Sequence, residues 1–420
     1  MLTEIGDLWR GRITRRRPEV PRTSGTTVPS HPETRRTGLS PNRRPAQRVA
    51  AACVSVVAVA SVAACGSNSS SGSSAAGSSG SAQANVDAAK QAIAPFVGQP
   101  SAFPVTEPLS KPLPAGTKFA FLQCGTPFCA LAGGSLQAAV AAIGGTFTKI
   151  NAGSTASSSS AAASSALAMK PDAVFVTVDP SLFGDGLKQL SAAGTKVISI
   201  SIAKDAAPFG ITFNYIGQDE ISQDGRLLAD WVIQHNGGKA NAVFYGLPTF
   251  DFSEPLQQAF QGEMTKNCPS CKVRTVPIDA ATIGTTSPRT VVTDLQAHPE
   301  TNVAVFVSFQ IAAGLPAAMR AAGLSGITTV GRGPTPGNLQ DIKDGGLTAG
   351  LAIDTPVSTW TAVDAAARLV VGGQPTTSEK AGELDKQFLE QKDITFDPTK
   401  GWTGYPDYPQ RYAKLWHPAS

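Results

Sequence analysis

Histidine is scarce: the 420 residues contain four, His31, His235, His298 and His417, scattered along the chain. No two of them have a spacing that would let them share a metal. His235 closes a helical pattern, where a cationic helix-end role outranks catalysis. The catalytic signatures are missing as well. No nucleophile elbow, HExxH pair, phosphate loop or dinucleotide fingerprint follows a β-rich run. Catalysis needs convergent acids, bases or nucleophiles, and no such cluster is legible. The sequence therefore argues against an enzyme and calls for no metal and no cofactor.

Positive charge is also short where a nucleic-acid binder would need it. The formal net charge is +4, yet residues 1–64 hold eleven arginines and no lysine against Glu4, Asp7, Glu19 and Glu33. The remainder holds 24 basic and 27 acidic residues. The basicity belongs to the N-terminus, and nothing after it forms the patch that nucleic-acid binding requires. No nucleic-acid partner is expected.

What is present begins with a targeting segment at 1–64. The run VAAACVSVVAVASVAA (49–64) is apolar and uncharged and follows NRRPAQR. A positive stretch before a short apolar one reads as a secretory signal; about 16 residues fall short of the ~20 that a spanning helix needs. Val62-Ala63-Ala64-Cys65 resembles the bacterial lipobox, in which the cysteine is lipidated. Residues 65–84 then read as a lipidated Cys65 with a flexible Ser/Gly tether. Residues 1–41 are Arg-, Pro- and Thr-rich and read as a start codon set too far upstream, or as a disordered extension. Of the six cysteines, Cys53 lies in the signal and Cys65 is the lipid site. Cys124, Cys129, Cys268 and Cys271 remain in an oxidising setting, where paired thiols are usually disulfides.

Residues 85–115 form a short helical pattern and a Pro-rich approach. Beyond them, apolar runs alternate with helical patterns: KFAFLQ, TFTKI, AVFVTV and KVISISI, then NAVFYG, KVRTVPI, VAVFVSF, ITTVG and LTAGLAI. This alternation predicts an α/β fold of two doubly wound parallel-sheet lobes. Ligands of such sheets sit beyond the carboxyl ends of the strands. The serines at 157–160 and 164–165 read as a small-residue helix face rather than a linker. CPSC (268–271) ends a helix and precedes a strand, so a local structural disulfide is favoured over a redox pair or half a zinc site. A zinc site shared with Cys124 and Cys129 is rejected, because the two pairs fall at opposite ends of their sheets.

The lipoprotein signal, the paired lobes and several phrases resemble the type I periplasmic solute-binding proteins of ABC importers, the sugar-binding group that includes ribose-binding protein. The resemblance covers about 116–378 and rests on GTKFAFLQCGTPFCALAGG, KPDAVFVTVDP, AAGTKVISISI, YIGQDEISQDGRLLADWV, AHPETNVAVFVSFQIAAGLPAAMRAAG and TVGRGPTPGNLQDIKDGGLTAGLA. It implies lobe 1 at 116–218 plus 355–378, and lobe 2 at 219–354 plus 379–420 with the C-terminal tail. A three-segment hinge joins them and closes on a small solute. It also implies a monomer that is anchored outside the cytoplasm through Cys65 and docks on an ABC permease. The alternative is a sensor lobe presenting ligand to a membrane receptor or kinase.

Carried over position by position, the resemblance puts Thr126 where the family has a sugar-binding Asn, and Phe128 and Cys129 on two aromatics. Ser201, with Ile202, replaces an Asp-Arg pair; Phe309 and Gln310 replace Asn-Asp; Arg332 replaces an aromatic; Asp354 or Ile353 takes the late polar place. A guanidinium suits a carboxylate, so the expected ligand is sugar-like or an apolar-bodied small carboxylate facing Phe128, Phe309 and Arg332. The competing role for Arg332 is an internal ion pair with an acid such as Asp354. A Cys124–Cys129 disulfide would hold Thr126 and Phe128 toward that ligand. Phe250 and Phe252 are further candidates for the mouth of the cleft.

Overall fold

The computed structural model describes residues 76–200 and 202–417. The signal segment, Cys53, Cys65 and Ser201 lie outside the described residues. Helix α1 (Ala76–Ile93) begins inside the stretch read as tether. Its Val86, Ala89 and Ile93 join the core, and α1 rests on α5. Once that nucleus is fixed, adding helical residues N-terminally closes one bond per residue.

The first lobe is built from β1 (Lys118–Gln123), α2 (Pro127–Ala142), β2 (Thr146–Asn151), α3 (Ala156–Met169), β3 (Ala173–Val176), α4 (Gly186–Ala192), β4 (Lys196–Ser199) and β5 (Phe213–Asn214). Its sheet is parallel, in the order β2-β1-β3-β4-β5. AVFV of β3 is buried throughout, as a strand covered on both faces must be. The serine-rich α3 is the helix that its small residues suggested. Ser159, Ala162, Ala163 and Ala166 form its buried face, and Thr155 and Ser158 make a capping box.

The second lobe follows with α5 (Gln218–His235), β6 (Asn241–Gly246), α6 (Ser253–Asn267), β7 (Lys272–Pro277), α7 (Ser287–Ala297), β8 (Val303–Phe306), α8 (Leu315–Ala321), β9 (Thr328–Arg332), α9 (Pro336–Lys343) and β10 (Ala349–Ile353). After α10 (Thr355–Val370) and α11 (Thr377–Ala381), β11 (Lys386–Glu390) pairs antiparallel with β10 and closes the sheet edge, giving β11-β10-β9-β8-β6-β7. Cys268 and Cys271 form a disulfide in the α6–β7 loop.

The chain crosses between lobes after β5, after β10 and between α10 and β11. Two more crossings were not expected. The tail, assigned by sequence to the second lobe, returns to the first. There α12 (Tyr408–Trp416) rests on α10 and α2, with Trp416 stacked on Trp360 at 5.2 Å and its Nε1 donating to Asp364 at 2.6 Å. Two buried aromatics, Tyr412 and Trp416, supply the apolar area that draws the tail there. The N-terminal approach also passes from α5 to the first lobe. Arg368 on α10 donates to the Pro108 carbonyl at 3.2 Å, and the Leu109 N–H donates to Leu415 at 2.8 Å.

At the hinge, Gly382 has φ +66° and lies against the Tyr215 carbonyl, where a Cβ would collide. Beside it, Asp364 and Glu379 are fully buried around one cation, Arg368, whose Nε donates to Asp364 at 2.6 Å and sits 3.6 Å from Glu379. Burial and the neighbouring Asp364 raise the Glu379 carboxyl far above the usual carboxylate range.

Candidate ligand-binding site

Each sheet has a switch point where successive crossovers depart in opposite directions, β1/β3 in the first lobe and β6/β8 in the second. The loops after these strands spread apart there and leave a crevice. The two crevices face each other and enclose one cavity of about 60 Å³. At ~10–15 Å³ of such space per water, that is room for roughly four to six waters, the size of a single-ring molecule.

The first lobe contributes Thr126, Phe128 and Cys129 after β1, Thr177 after β3, and Ile200 after β4. Thr126 caps α2, its Oγ accepting the Cys129 N–H at 3.4 Å. Cys124 and Cys129 are joined in a disulfide with Cα atoms 5.6 Å apart, which fixes the turn carrying Phe128. The second lobe contributes Phe250 and Phe252 after β6, Ser308 and Gln310 after β8, and Arg332 with Gly333 at the end of β9. The hinge adds Ile353, Thr355, Ser358, Thr359 and Leu384.

The lobes are bonded to each other across the cleft. Gln310 Oε1 accepts the Phe128 N–H at 3.0 Å, and its Nε2 donates to Ser308 at 3.2 Å. Asp251, between the two phenylalanines of the second lobe, accepts the N–H groups of Ala203 (2.5 Å) and Lys204 (2.8 Å) from the first. Lys204 Nζ lies 3.3 Å from Asp251 and 2.5 Å from Asp179. Burial works against the Asp179 carboxylate, but Lys204 and the Ser181 donors hold it below its ordinary range.

Arg332 is buried and its guanidinium stands 5.5 Å over the Phe252 ring. Its Nε donates at 2.5 Å to Asp224 of α5. Its Nη groups make no hydrogen bond to any described residue. Asp224 is itself fully buried and lies 2.7 Å from Lys386 of β11, which also lies 2.7 Å from Glu220. Burial would raise Asp224, but Lys386 and Arg332 outweigh it and hold the carboxyl below its ordinary value. Burial and the Asp224 charge push Glu220 up despite Lys386. The Leu384 N–H donates to Glu220 at 2.9 Å, so this cluster of two acids and two cations runs from the cavity to the hinge.

Of the candidates named from sequence, Thr126, Phe128, Gln310, Arg332 and Cys129 meet at the cavity, and Phe250 and Phe252 join them. Phe309 does not. It is fully buried behind the wall, stacked on Phe306 at 5.7 Å and lying over Gly331, where any Cβ would come within 2.5 Å of its ring. Asp354 also turns away. It caps α10 through Val357 and accepts from Thr403 and Gly404 at 2.8 Å each; its neighbours Ile353 and Thr355 line the cavity instead. Burial pushes its carboxyl up to about 7 against these three donors. The internal partner of Arg332 is therefore Asp224, not Asp354. Sequence reasoning missed Asp224 because it is one of four acids in an amphipathic helix, and such acids read as solvent-facing. It also missed Thr355, Ser358 and Thr359, although their i, i+3, i+4 spacing after a strand puts them on one helix face.

Among the described residues, no helix is long and apolar enough to cross a membrane, and no group of three or more His, Cys, Asp or Glu could hold a metal ion. No curated protein matches the chain in sequence. Several solved structures share its fold. A glucose-galactose binding protein from Geobacillus stearothermophilus is 16% identical, with a TM-score of 0.58 over 67% of this chain and 100% of that one. A 5-methylthioribose transporter solute binding protein from Thermotoga lettingae is 16% identical, with a TM-score of 0.60 over 71% of this chain and 98% of that one. A LacI transcriptional regulator assignment from Bacteroides fragilis is 13% identical, with a TM-score of 0.57 over 66% and 98%. The profile of the periplasmic binding protein domain matches residues 119–374, the two lobes and the cavity between them, and the chain belongs to that family.

Proposed function

We propose that the protein is the extracytoplasmic substrate-binding lipoprotein of an ABC importer. It is anchored through Cys65, captures one small solute between its lobes and delivers it to a membrane permease. The observation that carries this reading is the convergence of both switch points on one cavity between the lobes, bridged by lobe-to-lobe hydrogen bonds. The solute presents to this cavity a ring with an apolar face, set against Phe128, Phe250 and Phe252, and an acidic group that reaches the Nη groups of Arg332. The second reading, a sugar derivative of low polarity, draws on the neutral hydroxyls of Thr126, Thr177, Ser358 and Thr359 and on the sugar ligands named for the fold's relatives.

A thermal-shift screen of sugars against small carboxylates tests this. A ligand at 100 times its Kd stabilises the folded state by about 2.7 kcal/mol. A carboxylate should raise Tm in the wild type and lose that shift in Arg332→Met. A neutral sugar that binds both proteins equally would sink the carboxylate reading and leave the sugar one. Cys65→Ala protein should leave the membrane fraction; if it stays, the lipid anchor is wrong.

A further inference from the structure

A second cavity, of about 250 Å³, lies beside the first. The two share Phe128, Ile353 and Thr355 as walls, so a half-buried phenylalanine and a hinge corner stand between them. Its apolar and aromatic walls are Leu131 of α2, Pro334 and Pro336 after β9, and Trp402 and Tyr408 of the tail, with Ser135, Thr399 and Lys400 as its polar ones. Leu131 is 43% exposed, one of few large apolar side chains left so open among the described residues. Trp402, by contrast, is 7% exposed and holds its ring as a fixed wall.

The tail is pinned where it covers this space. Asp354 at the hinge takes both the Thr403 hydroxyl and the Gly404 N–H. Lys343 donates to the Phe396 carbonyl at 3.5 Å, and Asp397 caps the short turn that carries Lys400 to the rim. The family match ends at residue 374, so the aromatic cover comes from a part of the chain outside it.

Resting on the solute-binding reading of the central cavity, we propose that the ligand has two parts. Its polar head occupies the central cavity, and an apolar arm passes Phe128 into the compartment under Trp402 and Tyr408. An aromatic or saturated ring suits the arm, because flat indole and phenol faces bury such rings well. The three shared walls carry the choice of occupant: one molecule reaches both cavities, as a ring-bearing glycoside or a ring-extended carboxylate.

Matched pairs test this: benzoate against biphenyl-4-carboxylate, and galactose against phenyl β-galactoside, titrated calorimetrically into the full chain. In the series whose head binds, the arm should tighten binding tenfold or more. Leu131→Trp, which fills the compartment from its open rim, should erase that gain and leave the affinity of the head within twofold. A second readout needs no blocked cavity. The arm-bearing ligand should change the tryptophan emission of the wild type, and Trp402→Phe should lose that change. Heads that bind with no gain from the arm, or a gain that survives Leu131→Trp, overturn the compartment and leave the central site standing. Failure of every head in the wider screen overturns the central site, and the compartment with it.

Discussion

The buried charge cluster makes an asymmetric prediction. Asp224 is the shared partner of two cations, Arg332 at 2.5 Å and Lys386 at 2.7 Å. Asp224→Asn keeps its shape and removes its charge. Both cations are then left in a dry site with only Glu220, and an arginine cannot shed its proton to escape. Removing one partner of a buried pair costs about 3–5 kcal/mol, which at ~2–4 °C per kcal/mol is a fall in Tm on the order of 10 °C. Arg332→Met removes a charge from the same cluster at lower cost. Asp224 keeps Lys386, and Glu220, already pushed up by burial, can take a proton to restore neutrality. The expected loss is that of one charged hydrogen bond, about 1.5–3 kcal/mol. The double variant should recover part of the Asp224→Asn loss, because these neighbours are coupled. Urea unfolding with an unchanged m-value measures all three. The reasoning is refuted if Arg332→Met costs as much as Asp224→Asn. Because the folded Asp224 titrates below its unfolded value, its contribution is present above about pH 4 and is lost as the pH falls through the folded value.

Asp251→Ala should loosen the closed form, since two N–H groups of the first lobe lose a carboxylate at a cost of about 1.5–3 kcal/mol per charge-assisted bond. Small-angle scattering should show a larger radius of gyration; an unchanged value counts against the latch. Glu379 works in the opposite sense to Asp224. Its folded value is raised by burial and by Asp364, so its contribution is complete below about pH 4 and is lost as the pH climbs toward the folded value. Glu379→Gln should flatten the alkaline side of the stability profile, and an unaltered profile would assign that slope to another group.

The strands were legible because AVFV, VAVF and AGLAI are covered on both faces and leave no alternation to misread. β11 was not. KQFLE carries a lysine, a glutamine and a glutamate, and only the acids of α5, distant in sequence, make Lys386 a buried residue. The loop after β1 lies at the cleft, and α2 starts inside it at Pro127, behind the Thr126 cap. Phe309 and Asp354 were misplaced for a shared reason. Sequence order puts a residue near the cleft, but a single turn decides whether its side chain faces the cavity or the core behind it. For Phe309 that turn is a 3₁₀ turn over Gly331, and for Asp354 it is the helix cap of α10.

The five crossings between lobes have a mechanical consequence. Two rigid bodies joined by one strand can swivel about three axes. Each further connection at a different point removes freedom, until only rotation about the line through the connections remains. The approach before β1 and the tail after β11 add two such points to the three at the hinge. The lobes should then move as a door moves on its pins, with one coordinate between open and shut. Trimming the tail from Thr395 onward should return a second coordinate to the motion, one of twist.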